Sequence, residues 1–226
     1  MIMLKALICD VDNTLTDFIG MKKRCCTAAI EAMRRHGLTL SVDDALQNIF
    51  RIYDEEGWEE QEVFQKLIEK YHGKPDYRIL AAGIVAYRNA RPFALVPYAD
   101  VREALEMLRA GGIKLAVVSD APRLKAHIRL ETIGLIKYFP HIITYDDTQK
   151  LKPDEAPFRL ALERLGISPT EALFIGDNPG RDIVGARTVG MKTCWARYGC
   201  AWECEDPKAD YTADSFRDVL LVLRNV

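Results

Sequence analysis

Short apolar, β-rich runs alternate with helically spaced apolar positions along most of the chain. Leu4–Cys9, Ile113–Val118, His141–Tyr145, Ala172–Gly176 and Met191–Ala196 each stop at turn or polar residues, which predicts five strands. Between the later runs the spacing changes. Val101, Leu105 and Leu108 form one helical stripe, closed by Gly111-Gly112, and Phe158, Leu162 and Leu165 form another. Ser168-Pro169-Thr170-Glu171 reads as a capping box with proline at the first helical position. Phe216, Val219, Leu220 and Leu223 predict a closing helix. Strands alternating with helices imply an α/β fold, a parallel sheet flanked by helices on both faces. In such sheets ligands bind at the carboxyl ends of the strands, near a topological switch point.

Residues 17–91 break the alternation. Ala45, Ile49, Phe50 and Tyr53 recur at helical steps, as do Val63, Phe64, Leu67, Ile68 and Tyr71, and Gly37, Gly57 and Gly73 punctuate them. The stretch from Arg91-Pro92 to Pro97 reads as a linker back to the sheet. The expected organisation is a core of residues 1–16 and 92–226, with an all-helical domain at 17–91 that covers the strand ends. Trp58 belongs to an apolar stripe and reads as core. Lys22-Lys23-Arg24 reads as a solvated helix face, with recognition of an anionic substrate as the alternative.

Bulk properties narrow the function by exclusion. With 226 residues, 49% hydrophobic and 28% charged, the chain has the composition of an ordinary globular protein. A formal charge of −2 gives no reason to expect nucleic acid or an acidic membrane as partner. No apolar run reaches the roughly 18 residues a membrane span needs, and the apolar start is short and interrupted by Asp10, so a cytoplasmic location is expected. The six cysteines lack zinc-type spacing and read as reduced thiols. His36, His72, His127 and His141 are scattered without metal-ligand spacing. Nothing in the sequence reads out an oligomeric state.

The residues with chemistry follow the strand ends. Asp10-Val11-Asp12-Asn13-Thr14 follows the first, Ser119 ends the second, Lys152-Pro153 comes after the third, and Gly176-Asp177-Asn178-Pro179-Gly180-Arg181-Asp182 follows the fourth. Asp10, Asp12, Asp177 and Asp182 would therefore converge at one edge of the sheet. Carboxylates that close repel and raise one another's pKa values. A divalent cation removes that problem, and an oxygen-only ligand set selects Mg²⁺. Lys152 and the Ser119 hydroxyl are donors suited to phosphoryl oxygens. Taken singly, Asp-rich loops are helix caps and turns more often than sites; it is their recurrence after successive strand ends that points to chemistry.

With these motifs in this order, the chain resembles the haloacid dehalogenase superfamily of phosphatases over nearly its whole length. The strand followed by DVDNT and the segment GDNPGRDIVGAR carry the resemblance. The helical insert resembles the cap of the subfamily whose cap follows the first motif. The resemblance implies a Rossmann-like core with a helical-bundle cap that closes over the site and reopens. It implies that Asp10 attacks phosphorus and that Asp12 acts as general acid and base. It implies Mg²⁺ held by Asp10, the backbone carbonyl of Asp12, and Asp177, with Asp182 in support. Ser119 and Lys152 would bind the transferring phosphoryl, and Asp120 and Asn178 are further candidates near the substrate, which is a small-molecule phosphate ester.

The acid at Asp12 separates the chemistries of the superfamily. Its dehalogenases lack an acid two positions after the nucleophile, because a C–halogen bond needs no leaving-group proton. A phosphatase is therefore expected. The alternatives are a phosphomutase, which passes the phosphoryl to a sugar hydroxyl, and a catalytically silent phosphate-binding module. Asp120 stands where relatives often carry Asn, and a carboxylate there is unhelpful unless it points away. Thr14 is expected to brace its loop through its hydroxyl. Cys9, by strand alternation, faces away from the site and reads as core.

Overall fold

The computed structural model describes residues 3–200 and 208–224, and the chain divides into two compact units, Met1–Phe18 with Val96–Val226, and Ile19–Leu95. The strands are β1 (Ala6–Cys9), β2 (Lys114–Val118), β3 (His141–Ile143), β4 (Ala172–Gly176), β5 (Lys192–Ala196) and β6 (Tyr211–Ala213). The helices are α1 (Phe18–Arg35), α2 (Val42–Glu56), α3 (Val63–His72), α4 (Tyr77–Ala94), α5 (Val101–Ala110), α6 (Arg123–Thr132), α7 (Tyr145–Thr148), α8 (Glu155–Leu165), α9 (Val184–Thr188) and α10 (Val219–Arg224). None of the described helices is long and apolar enough to cross a membrane.

In the first unit the six strands make one sheet in the order β3-β2-β1-β4-β5-β6, and every pairing is parallel. The expected α/β architecture is the observed one. The strands read as near-continuous apolar runs because both faces are covered. On one face Ala6, Ile8, Val118 and Phe174 build a core with Phe158 and Leu162 of α8. The Phe158 and Phe174 rings meet edge to face with centroids 5.0 Å apart, a favoured aromatic geometry. On the other face Leu7, Cys9, Val117 and Ile175 are fully buried. Cys9 is thus a core residue, and burial, followed by the nearby Asp10 and Cys194, pushes its thiol pKa well up.

β1 sits in the middle of the sheet, with β2 on one side and β4 on the other. The chain leaves β1, returns to build β2 and β3 outward on one flank, then crosses to build β4, β5 and β6 on the other. That reversal at β1 is the topological switch point, and Asp10 is the first residue beyond it.

The second unit is all-helical and has its own core, in which Cys26, Ile30, Met33, Ile49, Tyr53 and Leu67 are buried together. Ser41 caps α2 by accepting from Asp44 N–H at 3.0 Å, and Asp76 caps α4. Trp58 stacks on Tyr53, centroids 5.5 Å apart and 12° between planes.

Four expectations need correction. α4 continues through Pro92 to Ala94, so the stretch from Arg91 is helix rather than linker; proline here lies in the last turn, where only the terminal part of the ladder bears its missing N–H. Lys22 is not on a solvated face: it is 8% exposed, with its ammonium 4.1 Å above the Tyr53 ring. β3 ends at Ile143, because Thr144 turns the chain into α7 as half of a capping box with Asp147. Cys200 is disulfide-bonded, against the expectation of reduced thiols throughout, whereas Cys9, Cys25, Cys26 and Cys194 are free. Trp202 and Cys204 lie outside the described residues.

Candidate active site

The first unit carries the site at the carboxyl ends of β1, β2 and β4. After Cys9 the chain hooks back: Leu15 N–H donates to Val11 O at 2.9 Å and Asn13 N–H donates to Thr16 O at 2.7 Å. Asn13 occupies the left-handed region at φ 58°, a conformation asparagine tolerates better than most residues. The hook leaves Asp10 at the sheet edge, 6% exposed.

After β4, Asn178 begins a wide π-type turn over Pro179–Ile183, whose first N–H groups it caps by accepting from Arg181 N–H at 3.0 Å. Such turns are frequent where a side chain must be placed at a functional site. Here the turn folds Asp182 back against Gly176, where a Cβ would lie 2.4 Å from the Asp182 carboxyl carbon, so only glycine fits. Asp182 also accepts from Asn178 N–H at 3.0 Å. Lys152 arrives from the loop before α8, 4% exposed.

These elements bring together Asp10, Asp177 and Asp182, each offering a carboxylate oxygen within 4.8 Å of the others. Lys152 Nζ enters the same cluster, donating to Asp10 Oδ1 at 2.6 Å and lying 2.7 Å from Asp182 Oδ1. Ser119 is buried just beyond the end of β2; its Oγ accepts from Ala121 N–H at 3.2 Å, which leaves its O–H to donate.

Three buried carboxylates face one ammonium, and the electrostatics reflect the imbalance. Burial raises the Asp10 pKa from 3.8 to about 7; Lys152 opposes the rise, and Asp182 and Asp12 add to it. Burial, then Asp182 and Asp10, push Asp177 well above the carboxylate range. Lys152 runs the other way: burial disfavours its cation, but Asp10 and Asp182 outweigh that and hold it above the usual lysine value. The donor set is all oxygen, buried and short of positive charge. It therefore fits a hard divalent cation such as Mg²⁺, with Asp10, Asp177 and Asp182 as the side chains that would hold it.

The remaining candidates are placed differently. Asp12 is not one of the three clustered carboxylates; it pairs with Arg129 Nη1 at 2.8 Å. Asp120 has both oxygens engaged: one accepts from Lys152 N–H at 2.9 Å and the other from Arg181 at 3.2 Å. It pins the backbone that carries Lys152. Asn178 is occupied as the cap just described. Thr14 keeps its hydroxyl buried with no hydrogen-bond partner among the described residues, which corrects the bracing role expected of it.

The bracing comes instead from residues to which the sequence assigned no role. Tyr198 O–H donates to the Thr14 carbonyl at 2.7 Å, and Trp195 Nε1–H donates to the Asp177 carbonyl at 3.0 Å. The end of β5 and the segment just beyond it thus hold both the Asp10 hook and the Asp177 loop. Gly199 completes the fit, since a Cβ there would lie 1.6 Å from the Asn13 carbonyl oxygen. Gly199→Ala must displace that backbone, and overpacking of this kind costs about 1–3 kcal/mol. A thermal melt checks it, at about 2–4 °C of Tm per kcal/mol for a chain of this size. An unchanged Tm means the hook yields freely and braces nothing.

The chain is similar to known proteins over nearly its whole length. The family described as haloacid dehalogenase-like hydrolase matches residues 4–190. The chain is 31% identical to a glyceraldehyde 3-phosphate phosphatase of Methanopyrus kandleri, covering 99% of each chain. It is 28% identical to the glyceraldehyde 3-phosphate phosphatase of Methanocaldococcus jannaschii, again over 99% of each. A crystal structure of a HAD phosphatase from Thermococcus onnurineus superposes with a TM-score of 0.68 at 26% identity, over 97% of this chain and 98% of that one.

Proposed function

Because the chain belongs to the haloacid dehalogenase-like hydrolases, we propose that it is a Mg²⁺-dependent phosphatase of small phosphomonoesters that works through an aspartyl-phosphate on Asp10. The observation that carries the reading is the buried contact of Lys152 with Asp10 and Asp182, at 2.6 Å and 2.7 Å, inside a three-carboxylate cluster. A lysine held there keeps the Asp10 carboxylate beside a positive charge and presents N–H donors to an incoming phosphoryl group.

In the first half-reaction Asp10 forms a bond to phosphorus as the ester P–O bond breaks, and Asp12 gives its proton to the departing oxygen. In the second, Asp12 takes a proton from water, the water oxygen bonds to phosphorus, and the P–O bond to Asp10 breaks to release inorganic phosphate. Lys152 and the Ser119 hydroxyl hold the phosphoryl oxygens through both. Mg²⁺, when bound, neutralises the crowded carboxylates and the charge on the transferring group. The names of the relatives make glyceraldehyde 3-phosphate the first natural ester to try.

The test is p-nitrophenyl phosphate and glyceraldehyde 3-phosphate hydrolysis with Mg²⁺ and with EDTA. Phosphate release that needs the metal is the expected result. Equal release in EDTA removes the metal from the reading. No release from either ester, or from a wider panel of phosphate esters, leaves a binding protein without turnover.

A further inference from the structure

We propose that Arg129 is a positioning residue that holds the Asp12 carboxylate for proton transfer, an inference that rests on the phosphatase reading above. Arg129 lies on α6 among the residues the helix buries, Ala126, Arg129 and Leu130. Helical periodicity reserves such a position for an apolar side chain. An arginine is costly to bury there, and a hydrophobic residue would serve the packing as well or better. The arginine is nevertheless 2% exposed, whereas Arg123 of the same helix is exposed to solvent.

Its Nη1 donates to Asp12 Oδ2 at 2.8 Å, and its guanidinium carbon stands 4.3 Å over the Phe18 ring. The ring stacks on a guanidinium whose planar fork is already preorganised. The Asp12 side chain is 26% exposed, against 3% for that of Arg129. The arrangement is therefore a buried arm reaching up to a partly exposed aspartate side chain. One oxygen of Asp12 is tethered, so the carboxylate plane is restricted and the second oxygen has a defined place. An acid and base that serves two successive proton transfers gains from that restriction, since proton transfer depends on geometry before it depends on basicity.

The test compares kcat/KM of wild type, Arg129→Met and Arg129→Lys over phosphate monoesters from p-nitrophenyl to alkyl. kcat/KM reports the steps up to departure of the leaving group, where Asp12 supplies a proton that nitrophenolate does not need. Arg129→Met is expected to lose on the order of 10²-fold with alkyl esters and little with p-nitrophenyl phosphate, and Arg129→Lys is expected to recover part of the loss. In an Asp12→Asn background Arg129→Met should cost nothing further, because two residues that act as one are non-additive. Should Arg129→Met fail to fold, Arg129→Gln keeps the length and a donor without the charge, and the same selective loss is expected of it. An equal loss on every ester, or losses that multiply in the double variant, overturns the inference and makes Arg129 a structural residue only. A wild type inactive on every ester overturns the phosphatase reading and this inference with it; an active wild type with a flat leaving-group profile in the variants overturns this inference alone.

Discussion

Asp10→Asn yields a folded protein whose turnover of any phosphate ester is lower by on the order of 10⁴–10⁶-fold, the range expected when a covalent nucleophile is removed. The amide has nearly the shape of the carboxylate, so the hook from Val11 to Thr16 and the packing of Cys9 are unaffected. What disappears is the anionic carboxylate that the proposed mechanism uses to attack phosphorus. Retention of wild-type kcat would transfer the nucleophile's role elsewhere and end the aspartyl-phosphate reading.

The same variant has a second readout, in stability. The Asp10 carboxyl holds its proton up to about pH 7 in the folded protein, against 3.8 for an ordinary aspartate in water. Between those values the folded state binds more protons than the unfolded state, so stability falls as pH rises through that window. Without added metal, then, wild type should lose Tm between pH 4 and pH 7 from this group, and Asp10→Asn should lose less. Parallel Tm-against-pH curves for the two proteins would mean that Asp10 is not the group that titrates.

Lys152→Met is the second large effect. The lysine ammonium donates to Asp10 and forms an ion pair with Asp182. Removing one partner of a buried ion pair costs about 3–5 kcal/mol, because the other charge stays buried and unpaired. Here the carboxylates can take up protons instead, so the loss should be largest above pH 7 and smaller near pH 5, where Asp10 is protonated in the wild type as well. Activity should fall on the order of 10²–10³-fold through loss of a charge-stabilising donor. Denaturant melts at the two pH values decide the first part, and an equal loss at both would show that Lys152 supports the fold by packing alone.

Much of this was legible in the sequence because the informative features are local. β4 has the expected bounds, and β1, β2 and β5 differ from expectation only at their first residues. Apolar runs that end abruptly at Asp, Ser or Gly mark strand ends without ambiguity, and the cluster of Asp10, Asp177, Asp182 and Lys152 follows from them. β6 was missed because it is only three residues long and pairs with β5 alone. Arg129 was missed for a different reason. It reads as one more basic residue on a basic helix, and its partner Asp12 is 117 positions away. Tyr198, Trp195 and Gly199 lie at or just beyond the end of β5 with no motif around them, and their contacts run to backbone carbonyls, which carry no residue-type signal. Asp120 was visible as a departure from the familial pattern, but its ties to Lys152 N–H and Arg181 exist only in three dimensions.

The central place of β1 also sets a timetable for synthesis. Its pairing partners on the two sides start at Lys114 and Ala172. At about 5–20 residues per second, a ribosome needs roughly 5–20 s to go from β1 to β2, and longer to reach β4. Throughout that interval an entirely apolar strand, Ala6–Cys9, has both edges open, the situation that invites pairing with the wrong chain. Residues 19–95, whose helices bury a core of their own, are complete well before either partner strand emerges. The order of the sheet thus makes the nascent chain most vulnerable at the strand that leads into Asp10, and the cluster of three carboxylates cannot assemble until Asp182 has been made.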